Sequence, residues 1–320
     1  METSNRSYIV GRLVWHLVPV FCVLAALSPF LLPDIPVGTD LPKHVMVARV
    51  LAFYNDTKYG YANHFDLDLE PRPTVLGALT LAGLAKGLKP FDAAKAYLAL
   101  FVVGLWFSGR FLTARAGQPA LAAVLLLPLA HTFCVFSGFL PFIGSIPFFA
   151  LLLGVLIKQP KGIARSVWIC ALLLLLYGFH IVGLAAGCLA VAVFAFDRKD
   201  GWQAAWYDLA ALVPPVCLAG YYLVRDHRHS SRWYYNRPLQ QIEAYIGYNA
   251  WTLSRVSGFL FIGLTAALVV FVGWQAYRER EKPRLLLLAV VMAAIGLVLP
   301  YQIDDWFIVG SRTFPFVVVA

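Results

Sequence analysis

The chain has 320 residues, of which 60% are hydrophobic and only 13% are charged, whereas an average globular domain is ~25% charged. Its mean hydropathy is +0.72. This composition excludes a soluble globular protein, a disordered tail and a coiled coil. The net charge of +9 would suit a nucleic-acid partner. In a membrane protein, however, Lys and Arg accumulate in the cytoplasmic loops, so the charge is better explained by topology.

Long apolar runs predict an all-α, polytopic transmembrane protein, because only helices satisfy their own backbone polar groups in hydrocarbon. A crossing needs ~20 apolar residues, which gives about ten membrane helices. The predicted spans are 11–33, 92–112, 118–136, 139–157, 165–180, 181–196, 204–224, 256–277, 284–300 and a last one starting near 313. The 165–196 stretch is too long for one crossing, so the prediction divides it around 178–180.

Segment 73–88 is apolar but short and glycine-rich, and the distribution of basic residues decides its role. If it does not cross and the N-terminus is cytoplasmic, half of the 26 basic residues fall into short cytoplasmic loops. If it crossed, several basic clusters would move outside. We therefore expect 73–88 to form an interfacial helix within a first external loop over 34–91.

The remaining organisation follows from that orientation. We expect one integral membrane domain over 1–320, a second large external loop over 225–255, and a location in the plasma or inner membrane. The last apolar run stops after a few residues, so we expect the C-terminus to be truncated.

Most of the other polar chemistry falls on the predicted external side. The motif GTDLPKH places Asp40 and His44 four residues apart after the first helix, and an amphipathic helix is expected to begin after Pro42. A carboxylate near the membrane plane can act as a general base on a hydroxyl or as a metal ligand. The alternative is that Asp40 only caps that helix.

The 225–255 loop is rich in Arg, His and Tyr, against the positive-inside trend. Arg228, Arg232 and Arg237 carry guanidinium forks that match phosphate oxygens. A lipid-linked phosphate or pyrophosphate at the outer headgroup level is therefore a candidate ligand. An aromatic belt with snorkelling arginines explains the same composition.

The connection over 301–313 reads YQIDDWFIVGSRT and carries Asp304, Asp305 and Arg312. Ionisable residues at a helix entrance are functional candidates. The alternative is an Asp–Arg pair that ties the connection down.

Two further features lie toward the same side. The short turn near 137–141 reads SGFLP, and His131 and His180 fall within predicted helices. A lone histidine in a helix is more often a hydrogen-bonded packing residue than a functional one, so neither is selected for the site.

The order of these features resembles the GT-C fold of membrane glycosyltransferases, which use polyprenyl-phosphate-linked sugars as donors. A first helix is followed by an external loop with an early acid (GTDLPKHVMVARV), a proline-led amphipathic helix (PRPTVLGALTLAGLAKGL) and a helix ending in basic residues (FDAAKAYLALFVVGLWFSGRFLTARAG). The segments SGFLPFIGSIPFFALLLG and YGFHIVGLAAG resemble those of poorly characterised bacterial members. The segment DDWFIVGSRTFPF resembles their external Asp–Arg segment.

The resemblance implies an inverting glycosyltransferase that moves a hexosyl or pentosyl group from a polyprenyl phosphate to an acceptor on the external face. Asp40 is then the catalytic base, and the arginines stabilise the negative charge of the leaving phosphate. The residues expected to bind substrate are His44, Arg228, Arg232, Arg237, Asp304, Asp305 and Arg312. The expected partners are the lipid bilayer and the lipid-linked sugar, with no nucleic acid.

Metal dependence and two other functions stay open. Asp40, Asp66 and Asp68 are candidate ligands for Mg²⁺ or Mn²⁺, which prefer carboxylate oxygens, but the sequence does not decide whether a metal is bound. A transporter or flippase for a lipid-linked or anionic substrate is one alternative, but the halves show no convincing repeat. A non-catalytic relative is the other. It is favoured by the single carboxylate of Thr39–Asp40, where the family commonly carries an acidic pair.

Overall fold

The structure is a computed structural model that describes residues 2–36, 38–67, 70–195, 201–225, 233–234, 240, 283–299, 302–303, 306–307 and 310–320. Its helices are α1 (Glu2–Leu31), α2 (Leu41–Ala52), α3 (Val75–Ala85), α4 (Pro90–Arg115), α5 (Phe133–Phe136), α6 (Leu140–Lys158), α7 (Ile163–Phe179), α8 (Ile181–Ala195), α9 (Gly201–Ala210), α10 (Val213–Arg225), α11 (Pro283–Val298) and α12 (Phe314–Val319). Short 3₁₀ segments are Tyr61–Asn63, Ala120–His131 and Gly310–Thr313. The strands are β1 (Trp233–Tyr234), β2 (Gln302–Ile303) and β3 (Trp306–Phe307).

The prediction of a helical chain with membrane-type apolar helices is confirmed in this coarse form. Among the described residues, three helical segments are long and apolar enough to cross a membrane. They are α4 (Pro90–Arg115), α6 (Leu140–Lys158) and Ala205–Arg225, which joins the end of α9 to α10. The other apolar helices are shorter, so the predicted count of ten spans is not confirmed. The predicted span over 256–277 lies outside the described residues.

Helix α6 is the centre of the fold. It is buried along most of its length and packs against α3, α4, α7, α8 and α12. Pro141 lies in its first turn, where the N–H that proline lacks would have no helical acceptor. Its 19 residues rise about 28 Å. The two ends of α6, named below the Leu140 end and the Lys158 end, are therefore two separate regions.

The predicted division of the 165–196 stretch is confirmed, because α7 ends at Phe179 and α8 begins at Ile181. His180 lies between them with extended backbone angles, φ −167° and ψ 139°. A Cβ at Gly178 would overlap the Leu76 side chain of α3, which would have to move. The ring of His180 packs edge to face on Phe142, so this turn lies at the Leu140 end.

Helix α3 is the short helix predicted over 73–88. Its 11 residues rise about 16 Å, roughly half of the ~30 Å hydrocarbon core, so it is too short to cross alone. A Cβ at Gly77 would lie 2.8 Å from Cα of Pro141, so α3 packs directly on the start of α6. An interfacial position for α3 stays a prediction.

The structure differs from the α-helix predicted over 118–136. Residues Ala120–His131 form a 3₁₀ helix that contains Pro128, followed by the short helix α5. Proline removes a backbone donor and clashes with the preceding turn of an α-helix. At about 2.0 Å rise per residue, these 12 residues extend about 24 Å, further than the same residues would as an α-helix.

The three strands form a small antiparallel sheet in the order β1-β2-β3. Trp233 pairs with Ile303, and Ile303 pairs with Trp306. The sheet therefore places Trp233–Tyr234 of the predicted 225–255 loop beside Gln302–Ile303 of the 301–313 connection. These two segments are far apart in sequence, and both carry predicted site residues.

Candidate functional site

Asp40 is fixed at the Leu140 end through its own backbone. It is the residue before α2, and its N–H donates a hydrogen bond of 2.9 Å to the carbonyl oxygen of Ser137. No hydrogen bond from its side chain to the helix end is described in this part of the chain. The capping alternative for Asp40 therefore has no support in this geometry, and its carboxylate is available for another role.

The partner of Asp40 is the SGFL turn (137–140), which joins α5 to α6. Gly138 adopts φ +76°, a left-handed conformation that side chains rarely tolerate. A Cβ at Gly138 would lie 2.6 Å from the backbone N of Leu41, so the turn and the start of α2 are in backbone contact. Gly38 packs against the same contact, since a Cβ added at Gly38 would lie 3.1 Å from Cα of Gly138.

Arg312 lies on the other side of the same turn. Only 9% of its surface is exposed, and its Cζ is 4.4 Å from the centre of the Phe139 ring. A guanidinium over an aromatic face is attracted by the ring quadrupole, more strongly when water is excluded. Stacking covers the face of the guanidinium, whereas its N–H groups point outward in the guanidinium plane. The turn thus holds both Asp40 and Arg312.

His180 completes this cluster and was not selected from the sequence. Its Nε2 is 3.2 Å from Nη1 of Arg312, and its Nδ1 is 3.2 Å from the backbone N–H of Val182. Both neighbours are donors, and a neutral imidazole can accept from only one of them. The ring also packs edge to face on Phe142. A site histidine was recognisable here only from its position at the break between α7 and α8.

The electrostatics connect Asp40 with both neighbours. Burial lowers the pKa of Arg312, and Cys134 and, to a smaller extent, the Asp40 carboxylate counteract this shift. Burial also lowers the pKa of His44, which Asp40 raises and Lys43 lowers further. Asp40 therefore lies close enough to act on the charge of Arg312 and of His44.

A second set of contacts ties the end of the first predicted external loop to α7 and α10. Arg225 of α10 forms an exposed ion pair of 2.6 Å with Glu70. The hydroxyl of Tyr177 donates to the carbonyl oxygen of Pro71 at 2.7 Å. Arg225, the first residue of the predicted 225–255 loop, thus pairs with an acid of the first predicted external loop.

An apolar cavity of about 280 Å³ opens beside this cluster, between α3, α4, α6 and the end of α7. It is lined by Thr80, Tyr97, Leu100, Phe101, Gly104, Gly144, Pro147, Phe148 and Phe179. The Tyr97 hydroxyl at its wall donates to the carbonyl oxygen of Leu140, the last residue of the SGFL turn. Phe179 precedes His180. The cavity therefore lies next to the charged cluster.

The Lys158 end carries a buried ion pair that sequence reasoning missed. Arg165 and Asp208 are joined at 2.8 Å, with only 5% and 0% of their side chains exposed. Arg165 also donates to the carbonyl oxygen of Gln159, and Ser166 donates to that of Tyr207. In the sequence, Arg165 is only the first residue of the predicted span over 165–180. Its buried partner lies 43 residues away, a separation that no local pattern indicates.

For the other predicted residues, the structure bears only on Asp66. Arg228, Arg232, Arg237, Asp304, Asp305 and Asp68 lie outside the described residues. Asp66 lines a separate cavity of about 210 Å³ against the second half of α2, whereas Asp40 precedes its first turn. Within the described ranges, no three His, Cys, Asp or Glu side chains converge as a metal site would require.

Comparison with known proteins adds no assignment: no family model, no curated protein and no solved structure matches the chain.

Proposed function

We propose that the chain is a membrane glycosyltransferase that transfers a sugar from a polyprenyl-phosphate donor to an acceptor hydroxyl. The observation that carries the proposal is the SGFL turn, which holds Asp40 on one side and the buried Arg312 on the other. A general base and a fixed cation are the two groups that such a transfer needs from the protein. The resemblance to GT-C glycosyltransferases supplies the substrate class.

The reaction assigns each group one task. The Asp40 carboxylate takes the proton of the acceptor hydroxyl as its oxygen forms a bond to the anomeric carbon. The bond from that carbon to the phosphate oxygen breaks on the opposite face, so the configuration inverts. The electron pair leaves on the lipid phosphate, whose charge the Arg312 guanidinium stabilises. A guanidinium fork suits this task because it can bind two phosphate oxygens at once.

The apolar cavity supports a lipid-linked donor. It opens toward the outside of the helix bundle between α3, α4 and α6, and its walls are aliphatic and aromatic side chains. A hydrocarbon chain in this cavity would leave its phosphate near the SGFL turn, because Tyr97 and Phe179 join the two regions. The proposal thus places the prenyl chain in the cavity and the sugar phosphate at Arg312.

The test compares Asp40→Asn with Asp56→Asn in membranes supplied with a panel of radiolabelled undecaprenyl-phosphate sugars. Asp56 is an exposed acid of the same loop, whose Oδ1 accepts the Lys58 N–H at 2.9 Å, a bond that asparagine can keep. Loss of a general base costs about 10²–10⁴-fold in rate, so we expect Asp40→Asn to lose that much transfer and Asp56→Asn to lose none.

Two results would contradict the proposal. Transfer by Asp40→Asn at the wild-type rate would remove Asp40 from the reaction. An absence of labelled product from every donor, with wild-type protein correctly folded in the membrane, would favour a non-catalytic relative of the fold. Movement of the labelled lipid across the bilayer without a covalent product would favour a flippase.

A further inference from the structure

The SGFL turn (137–140) has contacts that the proposed reaction does not by itself explain. Four consecutive residues each make a specific connection. Ser137 accepts the Asp40 N–H, Gly138 touches the Leu41 backbone, Phe139 lies under Arg312 and Leu140 accepts the Tyr97 hydroxyl. A turn that only linked α5 to α6 would need none of them.

We infer that this turn is a positioning element that fixes the place of the Asp40 carboxylate relative to the Arg312 guanidinium. The inference rests on the proposed function, since it assigns the turn a role in that reaction. Asp40 approaches the site from α2 and Arg312 from the 310–313 turn, two segments about 270 residues apart in a chain of 320. The SGFL turn is the element that both of them contact.

Gly138 is the most sensitive point of this element. Its left-handed φ of +76° lets Ser137 present its carbonyl oxygen to Asp40, and its missing Cβ lets the backbone of Leu41 approach. A methyl group there would need the space 2.6 Å from the Leu41 nitrogen. Backbone atoms cannot rotate away as a side chain can, so the start of α2 must move and Asp40 must move with it.

A matched control exists at the Lys158 end of the fold. Gly117 has nearly the same backbone conformation, with φ +71°, but a Cβ at Gly117 would meet no atom within 4 Å. Alanine at Gly117 therefore carries the conformational penalty of a left-handed residue without the clash. The difference between Gly138→Ala and Gly117→Ala isolates the contact with α2.

Gly38 offers a second route to the same contact. Its Cβ would lie 2.9 Å from the Leu41 Cβ and 3.1 Å from the Gly138 Cα. Its φ lies outside the left-handed region, so alanine meets a crowded space there but no backbone strain. Gly38→Ala therefore carries the test if Gly138→Ala does not fold.

The first measurement is hydrogen exchange of the peptide covering residues 38–44, in lipid nanodiscs and without any substrate. Loss of the net contribution of one backbone hydrogen bond shifts a local opening equilibrium about fivefold. We expect exchange of the Asp40 amide to rise by about that factor in Gly138→Ala, and to a smaller extent in Gly38→Ala. Gly117→Ala should match the wild type.

The second measurement is the steady-state kinetics of transfer with the best donor from the undecaprenyl-phosphate panel. Misplacing a catalytic group by about 1 Å can cost about 100-fold in rate. We expect Gly138→Ala to lower kcat by about that factor with the KM for the donor unchanged. If the lower kcat came only from a smaller folded fraction, Gly117→Ala would lose as much activity as Gly138→Ala.

The outcomes separate this inference from the proposed function. Equal exchange of the 38–44 peptide in wild type, Gly138→Ala and Gly38→Ala would overturn the inference, as would an unchanged kcat with a raised KM. If wild-type protein transfers no sugar, the proposed function fails, and hydrogen exchange alone decides whether the turn fixes Asp40.

Discussion

The two ends of α6 hold a buried arginine in different ways. At the Lys158 end, Arg165 meets the carboxylate of Asp208 at 2.8 Å. At the Leu140 end, Arg312 lies on the face of Phe139 and beside the ring of His180. The first arrangement joins two helices through a pair of opposite charges, whereas the second holds the guanidinium against two rings. The arrangement at the Leu140 end is the one that the proposed function uses to bind a phosphate.

This difference explains why burial alone does not identify a functional charge. Both arginines are almost fully buried, and a buried charge is costly unless it is compensated. At the Lys158 end the compensation comes from a formal opposite charge that joins α7 to α9. At the Leu140 end it comes from an aromatic ring and the nearby Asp40. The predictions for Asp208 and Phe139 below test whether the loss of each partner lowers the free energy of unfolding by different amounts.

The largest expected effect is on stability at the Lys158 end. Replacing Asp208 by alanine leaves Arg165 buried without its carboxylate, which should lower the free energy of unfolding by about 3–5 kcal/mol. The measurement is an unfolding titration with SDS in mixed micelles. Asp92→Ala is the control, because Asp92 is an exposed acid in the first turn of α4.

The double variant Arg165→Met with Asp208→Leu sharpens that prediction. Replacing both charges by apolar side chains of similar size is often neutral for stability. Most of the lost free energy should therefore return in the double variant. A double variant as unstable as Asp208→Ala would mean that the loss came from packing of α9 rather than from an uncompensated charge.

A smaller effect is expected at the Leu140 end, where the compensation is aromatic. Phe139→Leu removes the ring under Arg312 and should lower the free energy of unfolding by about 1–2 kcal/mol beyond the loss of apolar area. The matched control is Phe148→Leu, because Phe148 stacks on Phe179 rather than on a cation. Equal losses in the two variants would show that the contact of Phe139 with Arg312 contributes no more than an ordinary aromatic pair.

The smallest expected effect is the pH dependence from His44. Burial lowers its pKa from the ordinary value of 6.5, so the folded protein favours the neutral ring. The stabilising contribution is complete above pH 6.5. It is lost as the pH falls from 6.5 through the lowered pKa, because the unfolded chain takes up a proton first.

The check is the free energy of unfolding measured between pH 7.5 and pH 5 in wild type, His44→Gln and His64→Gln. His64 is exposed, so its variant should keep the wild-type slope, whereas His44→Gln should reduce it. Identical slopes in all three proteins would assign the pH dependence to other groups.

The elements of the fold were predictable where a local pattern defines them. Pro42 and the apolar spacing after it indicated α2, and the length of the 165–196 run required the break that the structure has next to His180. The 3₁₀ helix over Ala120–His131 was not predicted, because its apolar composition is equally typical of an α-helix. Only its proline content suggested otherwise.

The candidate site was predictable only in part. Asp40 and Arg312 were both selected from the sequence, but nothing in either segment indicated that the SGFL turn would join them. His180 was set aside, since a lone histidine at a helix end has no pattern that separates packing from function. Asp208 was not predicted to form an ion pair, because a single acid in an otherwise apolar helix does not indicate which residue it contacts.

The sequence by itself determined that this chain is helical and strongly apolar, and that the 165–196 run is divided into two helices. Hydropathy, proline position and chain length act over neighbouring residues, so they can be read in order along the chain. Only the tertiary structure decided that Arg165 pairs with Asp208, and that Arg312 meets His180, 132 residues away. Such contacts depend on which helix faces pack together and on glycines such as Gly138 that allow two backbones to touch.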